Sequence, residues 1–425
     1  MIHGSHQSER VDGTSFFDEE ENVKATEVKP GIYWVGAIDW GVRDFHGYVT
    51  PNGTTYNNYL ILDEKVTLLD TVKFDFSDVM MESIRSLVAP EKIDVIVINH
   101  IEIDHVSSLD RIMECAPAAE IYITGKGKEG LARHFDISKW KIHVVKTGDS
   151  LHIGKRNLLF IETPMLHWPD SMVTYVKEDK LLISQDAFGQ HYASSGRFDD
   201  EINESVLQDA VIDYYANILM PFGPLIKKKI EEMEKLHLDI DMIAPDHGVI
   251  WRKDPGKVLN WYMRMADSKA DLRVVIVYDT MWESTERLTL PMFQGVRSAG
   301  IDACIIKLRA TPMSSAIKEF WKSRGLLVGT PTLNNIMYPT VAEFLTHLRG
   351  LRPSNRIAGA FGSFGWGGGA VKEAYSEFKR MGLEIVEPGI EVQYRPSTED
   401  IEKAFQFGKD FAEKVVLFHR KFQDE

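Results

Sequence analysis

Cysteine is almost missing from this chain. There are two in 425 residues, Cys115 and Cys304, far apart and in no CxxC pattern. That excludes a disulfide framework, a cysteine-ligated zinc site and an iron–sulfur cluster. A reducing cytoplasmic setting is the expectation. No apolar run is long enough for a transmembrane helix. Basic excess is missing too: 49 Lys and Arg stand against 63 Asp and Glu, a formal charge of −14. This argues against nucleic acid or an anionic membrane as a partner. The start has no basic segment followed by an apolar one, so no secretory signal is visible, and polar residues 1–23 are expected to form a flexible tail.

What remains is an ordinary soluble composition, 44% hydrophobic and 26% charged. The chain is long enough for two large cores. Two halves read differently. Residues 24–268 carry many short strand-like stretches, among them "YNNYLILD", "DVIVIN", "EIYIT", "NLLFIETP" and "MIAPDHG". Helical segments such as "FSDVMMESIRSL", "SVLQDAVIDYYANIL" and "PLIKKKIEEMEKL" lie between them. This predicts an α/β sandwich with helices covering sheets. A polar linker is expected within "MRMADSKAD". Residues 269–425 then alternate strand and helix five times, the pattern of a doubly wound parallel sheet.

The densest chemistry is in "VINHIEIDHVSSLD", residues 97–110. A β-branched run ends, and His100, Glu102, Asp104 and His105 follow within six positions. In an extended loop His100, Glu102 and Asp104 share one side, and His105 joins them only if the chain turns into a helix at "VSSLDRI". His167 in "TPMLHWPDS", Asp186 in "KLLISQDAFG" and His247 in "MIAPDHG" also stand at strand ends. Each alone reads as a loop residue. Together, four histidines and three carboxylates are too many for one tetrahedral zinc and suit two metals sharing a carboxylate.

The series H-x-E-x-D-H, then a His, an Asp and a His at later strand ends, resembles the metallo-β-lactamase fold. Most hydrolases of that fold have histidine where this chain has Glu102, and bind zinc. The glutamate form with a flavodoxin-like half behind it is similar to the flavodiiron proteins, over nearly the whole chain from residue 24. The resemblance implies a metallo-β-lactamase-like αββα sandwich followed by a flavodoxin-like domain. It implies two non-haem irons, one held by His100, Glu102 and His167, the other by Asp104, His105 and His247, with Asp186 bridging. A carboxylate in place of an imidazole adds negative charge and a hard oxygen donor, which suits iron. His46 and Tyr214 resemble family residues beside the open face of the site. His191 and Asp246 take no role in this reading.

The second half adds three loops after parallel strands, where open α/β sheets bind ligands. The first, "YDTMWESTE", contains Thr280, Met281, Trp282, Glu283, Ser284 and Thr285. Its hydroxyls and a following helix suit a phosphate monoester, and it carries neither GxGxxG nor a Walker A pattern. The second, "GTPTLNN", contains Pro331, Thr332, Leu333 and Asn334. The third, "GSFGWGGGA", contains Ser363, Phe364, Gly365, Trp366, Gly367 and Gly368. Glycines allow close backbone approach to a flat ring, and Trp282 and Trp366 suit an isoalloxazine. The set resembles flavodoxin and implies FMN. One departure is Glu283, where many flavodoxins have glycine, so its side chain must point outward.

A di-iron site with FMN implies reduction of O2 to water, of NO to N2O, or both. The resemblance further implies a head-to-tail homodimer or homotetramer and an external electron donor, rubredoxin or reduced coenzyme F420. Lys227, Lys228 and Lys229 form one candidate basic patch for docking, the alternative being a solvated helix face. The competing readings are a zinc-dependent hydrolase of the metallo-β-lactamase fold and a non-catalytic electron carrier or diatomic sensor.

Overall fold

The structure, a computed structural model, describes residues 25–422. The stretch expected as a flexible tail, 1–23, lies outside the described residues. Strand Ile93–Ile98 shows how the first half is built. Its side chains alternate, and from Val95 to Ile98 both faces are buried, which is why that stretch reads as an apolar run after the exposed Asp94. Val95 and Val97 face a second sheet, while Ile96 and Ile98 face helices.

The first sheet has seven strands in the spatial order Thr26–Lys29, Ile32–Trp34, Tyr59–Ile61, Val66–Leu69, Ile93–Ile98, Glu120–Thr124 and Lys141–Val145. The second has five, from Ser150–His152 through Asn157–Glu162, Met172–Val176 and Leu181–Gln185 to Met242–Pro245. Between them pack Ile32, Tyr59, Phe160, Met172, Ile183 and Ala244. Outside the first sheet lie Met80, Ile84, Leu109 and Ile112 from helices. Outside the second lie Tyr214, Ile226, Val258 and Tyr262. The layers are helix, sheet, sheet, helix. Strand Met172–Val176 was not anticipated from the sequence, because it follows a loop rich in polar residues.

The second half has a parallel sheet in the order Asp302–Lys307, Asp271–Tyr278, Ser323–Leu333, Ile357–Phe364, Glu384–Ile385. That is chain order 2-1-3-4-5, a doubly wound sheet with a switch point between the first and third strands. The fifth strand is shorter than expected. A second piece, Ile390–Gln393, pairs farther along the same neighbour.

Two expectations need correction. Met263–Ala266 are not linker but the end of helix Pro255–Ala266, so only residues 267–270 join the halves. The helix after the ligand run starts at Ile103, ahead of "VSSLDRI", so Asp104 does not continue the extended side shared by His100 and Glu102. The halves also pack together. One apolar core runs from Leu182 and Tyr262 through to Val275 and Phe344. Tyr215 meets Trp321 edge-on with ring centroids 5.8 Å apart, and Lys318 and Lys322 both reach Asp209, at 2.8 and 2.7 Å.

Helices Ser284–Ser298 and Thr398–Arg420 cross at very close range. A Cβ on Gly295 would sit 2.0 Å from the Phe405 carbonyl oxygen, and one on Gly408 would sit 2.2 Å from that of Met292. Backbone cannot yield there as a flexible side chain would. Gly408→Leu is therefore expected to destabilise the flavodoxin-like half by about 3 kcal/mol or more, read as a lower denaturant midpoint in urea unfolding.

Candidate di-iron and flavin sites

The candidate ligands lie in the segments that follow strand ends, where the chain leaves the sheet pairing. His100 follows Ile93–Ile98, and a helical turn at Ile103–Val106 swings Asp104 and His105 away from Glu102. His167 lies between two strands of the second sheet. Asp186 directly follows Leu181–Gln185, and His247 follows Met242–Pro245.

The turn divides the residues into two groups whose ligand atoms converge. His100, Glu102, His167 and Asp186 form one; Asp104, His105 and His247 form the other. All four histidines point Nε2 inward. In the first group His167 Nε2 is 3.0 Å from Asp186 Oδ2 and 3.3 Å from Glu102 Oε2. His100 Nε2 is 3.3 Å from Asp186 Oδ2 and 3.4 Å from Glu102 Oε2. In the second, Asp186 Oδ1 lies 3.1 Å from His105 Nε2 and 3.4 Å from His247 Nε2. Asp104 Oδ2 lies 3.2 Å from His247 Nε2 and 3.4 Å from His105 Nε2. Asp186 thus gives one oxygen to each group. Such separations are what two donors show when each stands about 2.1 Å from a common ion at roughly a right angle.

The donor chemistry fits two cations. Both oxygens of Asp104 are buried without a hydrogen-bond partner, a costly state that an ion relieves. Two buried carboxylates, Asp104 and Asp186, and the partly buried Glu102 share the space with four imidazoles. Burial opposes charge on His100, yet hydrogen bonds to Asp170 and Glu102 pull its pKa up to about 10. The Asp186 carboxyl is held well below the usual range: burial works against this, and the histidines overcome it. The centre attracts positive charge from whatever source is at hand.

Outer partners fix the imidazoles. His100 Nδ1 is 3.0 Å from Asp170 Oδ2, which also accepts from the Ile101 N–H. His247 Nδ1 is 2.7 Å from the Thr55 carbonyl oxygen. His105 Nδ1 makes no hydrogen bond, the nearest carboxylate oxygen being Asp246 Oδ2 at 3.5 Å. On His100 and His247 the acceptor at Nδ1 places the proton there and leaves Nε2 free to ligate. His46 Nδ1 is 3.1 Å from Glu102 Oε1, on the more open side of the cluster. Tyr214 is buried, its ring 6.4 Å from that of His247.

The flavin-type cleft has a volume of about 720 Å³ and lies where the three loops meet. Met281, Trp282, Ser284, Pro331, Thr332, Leu333, Asn334, Ser363, Phe364, Gly365, Trp366 and Gly367 line it. Thr280, Glu283, Thr285 and Gly368, expected in the same set, do not. Thr280 and Thr285 are buried beneath the loop, Thr285 Oγ1 being 2.9 Å from Ser363 Oγ. Glu283 takes the left-handed conformation, φ 62°, where glycine is favoured. Its side chain is 71% exposed and lies 3.6 Å from Arg287, so it points outward. No side chain caps the helix that begins at Ser284, and its first N–H groups are free for an anion. Trp282 and Trp366 stand 85% and 93% exposed at the mouth. Gly329, expected to admit a ring, instead packs inside the sheet, where a Cβ would meet Phe361.

Comparison with known proteins now decides the family. An "ODP family beta lactamase" model matches residues 54–248, and a flavodoxin model matches residues 276–408. A nitric oxide reductase of Moorella thermoacetica is 44% identical over 92% of this chain and 98% of its own length. Among solved structures, rubredoxin oxygen:oxidoreductase from Desulfovibrio gigas is 39% identical with a TM-score of 0.91, covering 93% of this chain and 99% of that one. The flavodiiron protein from Giardia intestinalis is 36% identical with a TM-score of 0.91, covering 94% and 98%. This chain belongs to the flavodiiron protein family. The flavodoxin domain indicates FMN, and the flavodiiron neighbours carry a di-iron site.

Sequence reasoning missed several residues of this flavodiiron chain. Asp170 stood in the quoted "TPMLHWPDS" three residues after His167, and only the fold shows that it reaches His100. Arg287, Tyr394 and Arg395 line the flavin cleft from beyond the loops considered, and Asn335 from within the second of them. His191 packs its ring 4.7 Å from His247 and 5.0 Å from Tyr214. The three docking lysines are paired with Asp267 and Glu232, so they do not form a free basic patch. A literal GxGxxG at residues 125–130 does open a helix after a strand. However, Thr124 Oγ1 caps the Gly127 N–H, and added Cβ atoms on Gly127 and Gly130 would strike Ile123 and Ile101. It is a packing device. Among the described residues no helix is long and apolar enough to cross a membrane.

Two substitutions separate the sites. Asp170→Asn should weaken metal retention by about 10- to 100-fold, measured by chelator competition, with flavin content unchanged. Trp366→Ala should weaken FMN binding by about tenfold, measured by flavin fluorescence titration, with metal content unchanged.

Proposed function

We propose that this chain is an oxidoreductase that reduces O2 to water, NO to N2O, or both, at a non-haem di-iron centre fed by FMN. The observation that carries this reading is Asp186, one carboxylate dividing its oxygens between two convergent ligand groups, in a chain that also holds a flavin cleft. His100, Glu102 and His167 would hold one iron, Asp104, His105 and His247 the other, and Asp186 would bridge. The units concerned are residues 24–268 and 269–425. FMN would lie between Trp282 and Trp366, its phosphate on the N–H groups at Ser284.

When bound, the irons and flavin supply the electrons: four for O2 going to two waters, two for two NO going to N2O and water, with matching protons. The chain's own residues orient and exclude. His46 pins Glu102 Oε1. Asp170 and the Thr55 carbonyl aim two imidazoles. Tyr214, His191 and Phe45 wall the site from bulk water. A zinc hydrolase is not favoured, since it leaves the flavodoxin domain without a task.

The electrons come from an external donor, for which rubredoxin and reduced coenzyme F420 are the candidates. A head-to-tail homodimer or homotetramer is supported by two uncovered faces: the mouth of the flavin cleft, and the open side of the metal cluster at His46. The site is expected to work in the cytoplasm.

The test is gas consumption by iron- and FMN-loaded protein with a chemically reduced donor, followed at O2 and NO electrodes. Loss of either gas is expected, and an Asp186→Ala variant should keep FMN, lose iron and consume neither. Wild-type protein loaded with both cofactors and inert toward both gases would contradict the proposal.

A further inference from the structure

Beside Asp186 the core is not filled. A cavity of about 40 Å³ lies between the outer face of the second sheet and helices Gly223–Glu234 and Pro255–Ala266. Native cores rarely leave voids larger than a water, and a void costs stability. Its walls are Val173, Leu182, Leu219, Ile226 and Ile230, with Tyr262 beside them. Asp186 and Ala187 form part of its inner wall, along with Leu166, the residue before His167. At the helix side stand Lys229 and Met233, both partly exposed.

We infer that this cavity is a dry binding site for small uncharged gas molecules, opening from helix Gly223–Glu234 to the shared carboxylate. Water is a poor occupant, because it needs two to four polar partners. Lys229 Nζ is drawn to Glu232 Oε2 at 2.8 Å. The Tyr262 hydroxyl is engaged by the Phe188 N–H at 3.1 Å. Both Asp186 oxygens face histidines of the two clusters. That leaves the buried, unpartnered Thr163 hydroxyl and the Tyr262 O–H hydrogen, against the roughly three partners a buried water usually has. Apolar voids of this kind stay empty of water and take up xenon or other apolar solutes. Diatomic gases and N2O are uncharged, lack strong hydrogen-bonding groups, and gain dispersion contacts there. His46 and Glu102, by contrast, make a charged and partly exposed approach to the cluster. The cavity would hold the gas next to the metals and give product a way out. Its catalytic role rests on the proposed gas reduction; its occupancy does not.

The test uses crystals of the cofactor-loaded protein under xenon pressure. Xenon density is expected between Val173, Leu182 and Ile230. Ile230→Trp, which fills the void, should abolish that density and lower kcat/KM for the gas by about threefold or more, with kcat at saturating gas and flavin reduction retained. Ile230→Ala should enlarge the void and raise xenon occupancy, which keeps the test usable if the tryptophan variant does not fold. No xenon in wild type overturns the inference, as does an unchanged kcat/KM in a filled variant that excludes xenon. Wild-type protein that binds xenon here but reduces neither gas supports the cavity and refutes the function.

Discussion

Asp186 is buried, and its two oxygens face different sets of imidazoles: Oδ2 toward His100 and His167, Oδ1 toward His105 and His247. Much of the N-terminal half is arranged to keep that carboxylate in place. Seven candidate ligand residues come from four chain segments, and the segment carrying His100, Glu102, Asp104 and His105 meets the other three only when the two sheets have packed. Three carboxylates concentrated in this space repel one another, and burying them without counter-charge costs several kcal/mol per ion. Two cations remove the cost, so metal binding and the final packing of this region are linked. Glu102 adds the third negative charge that an imidazole would not, which favours iron and its higher oxidation state.

The flavodoxin-like half solves a different problem. A phosphate and a flat ring need free N–H groups, close backbone approach and broad surfaces, with little need for charge. The uncapped helix start at Ser284, the turn at Asn334 and Asn335, both with positive φ, and the exposed tryptophans supply these. Glu283 accepts a left-handed backbone in order to send its side chain outward. The two halves are then fixed to each other by the Tyr215–Trp321 contact and the lysine pair on Asp209.

Much of this was legible in the sequence because strand ends announce themselves. An apolar run followed by His, Asp or Glu states both where the strand stops and what it presents, and the residues that converge in the two candidate ligand groups stand out in the sequence largely for that reason. The strand–helix alternation after residue 269 gave the second sheet for the same reason. Three-dimensional convergence was harder to read. Nothing local to Asp170 tells that it meets His100, and His191 takes its place through the packing of strands and helices far apart in the chain. The turn at Ile103 was placed late, because "EIDHV" reads equally well as extended. Arg287, Tyr394 and Arg395 reach the flavin cleft from one helical turn away or from a distant loop, which residue spacing does not encode.

The central claim is that one carboxylate joins two metal sites and that the metal is iron. Anomalous diffraction at the iron edge from anaerobically prepared crystals tests it directly. The account predicts two iron peaks about 3.5–4 Å apart, one against His100, Glu102 and His167, the other against Asp104, His105 and His247, with Asp186 between them. A single peak, or a signal at the zinc edge in place of iron, would contradict it.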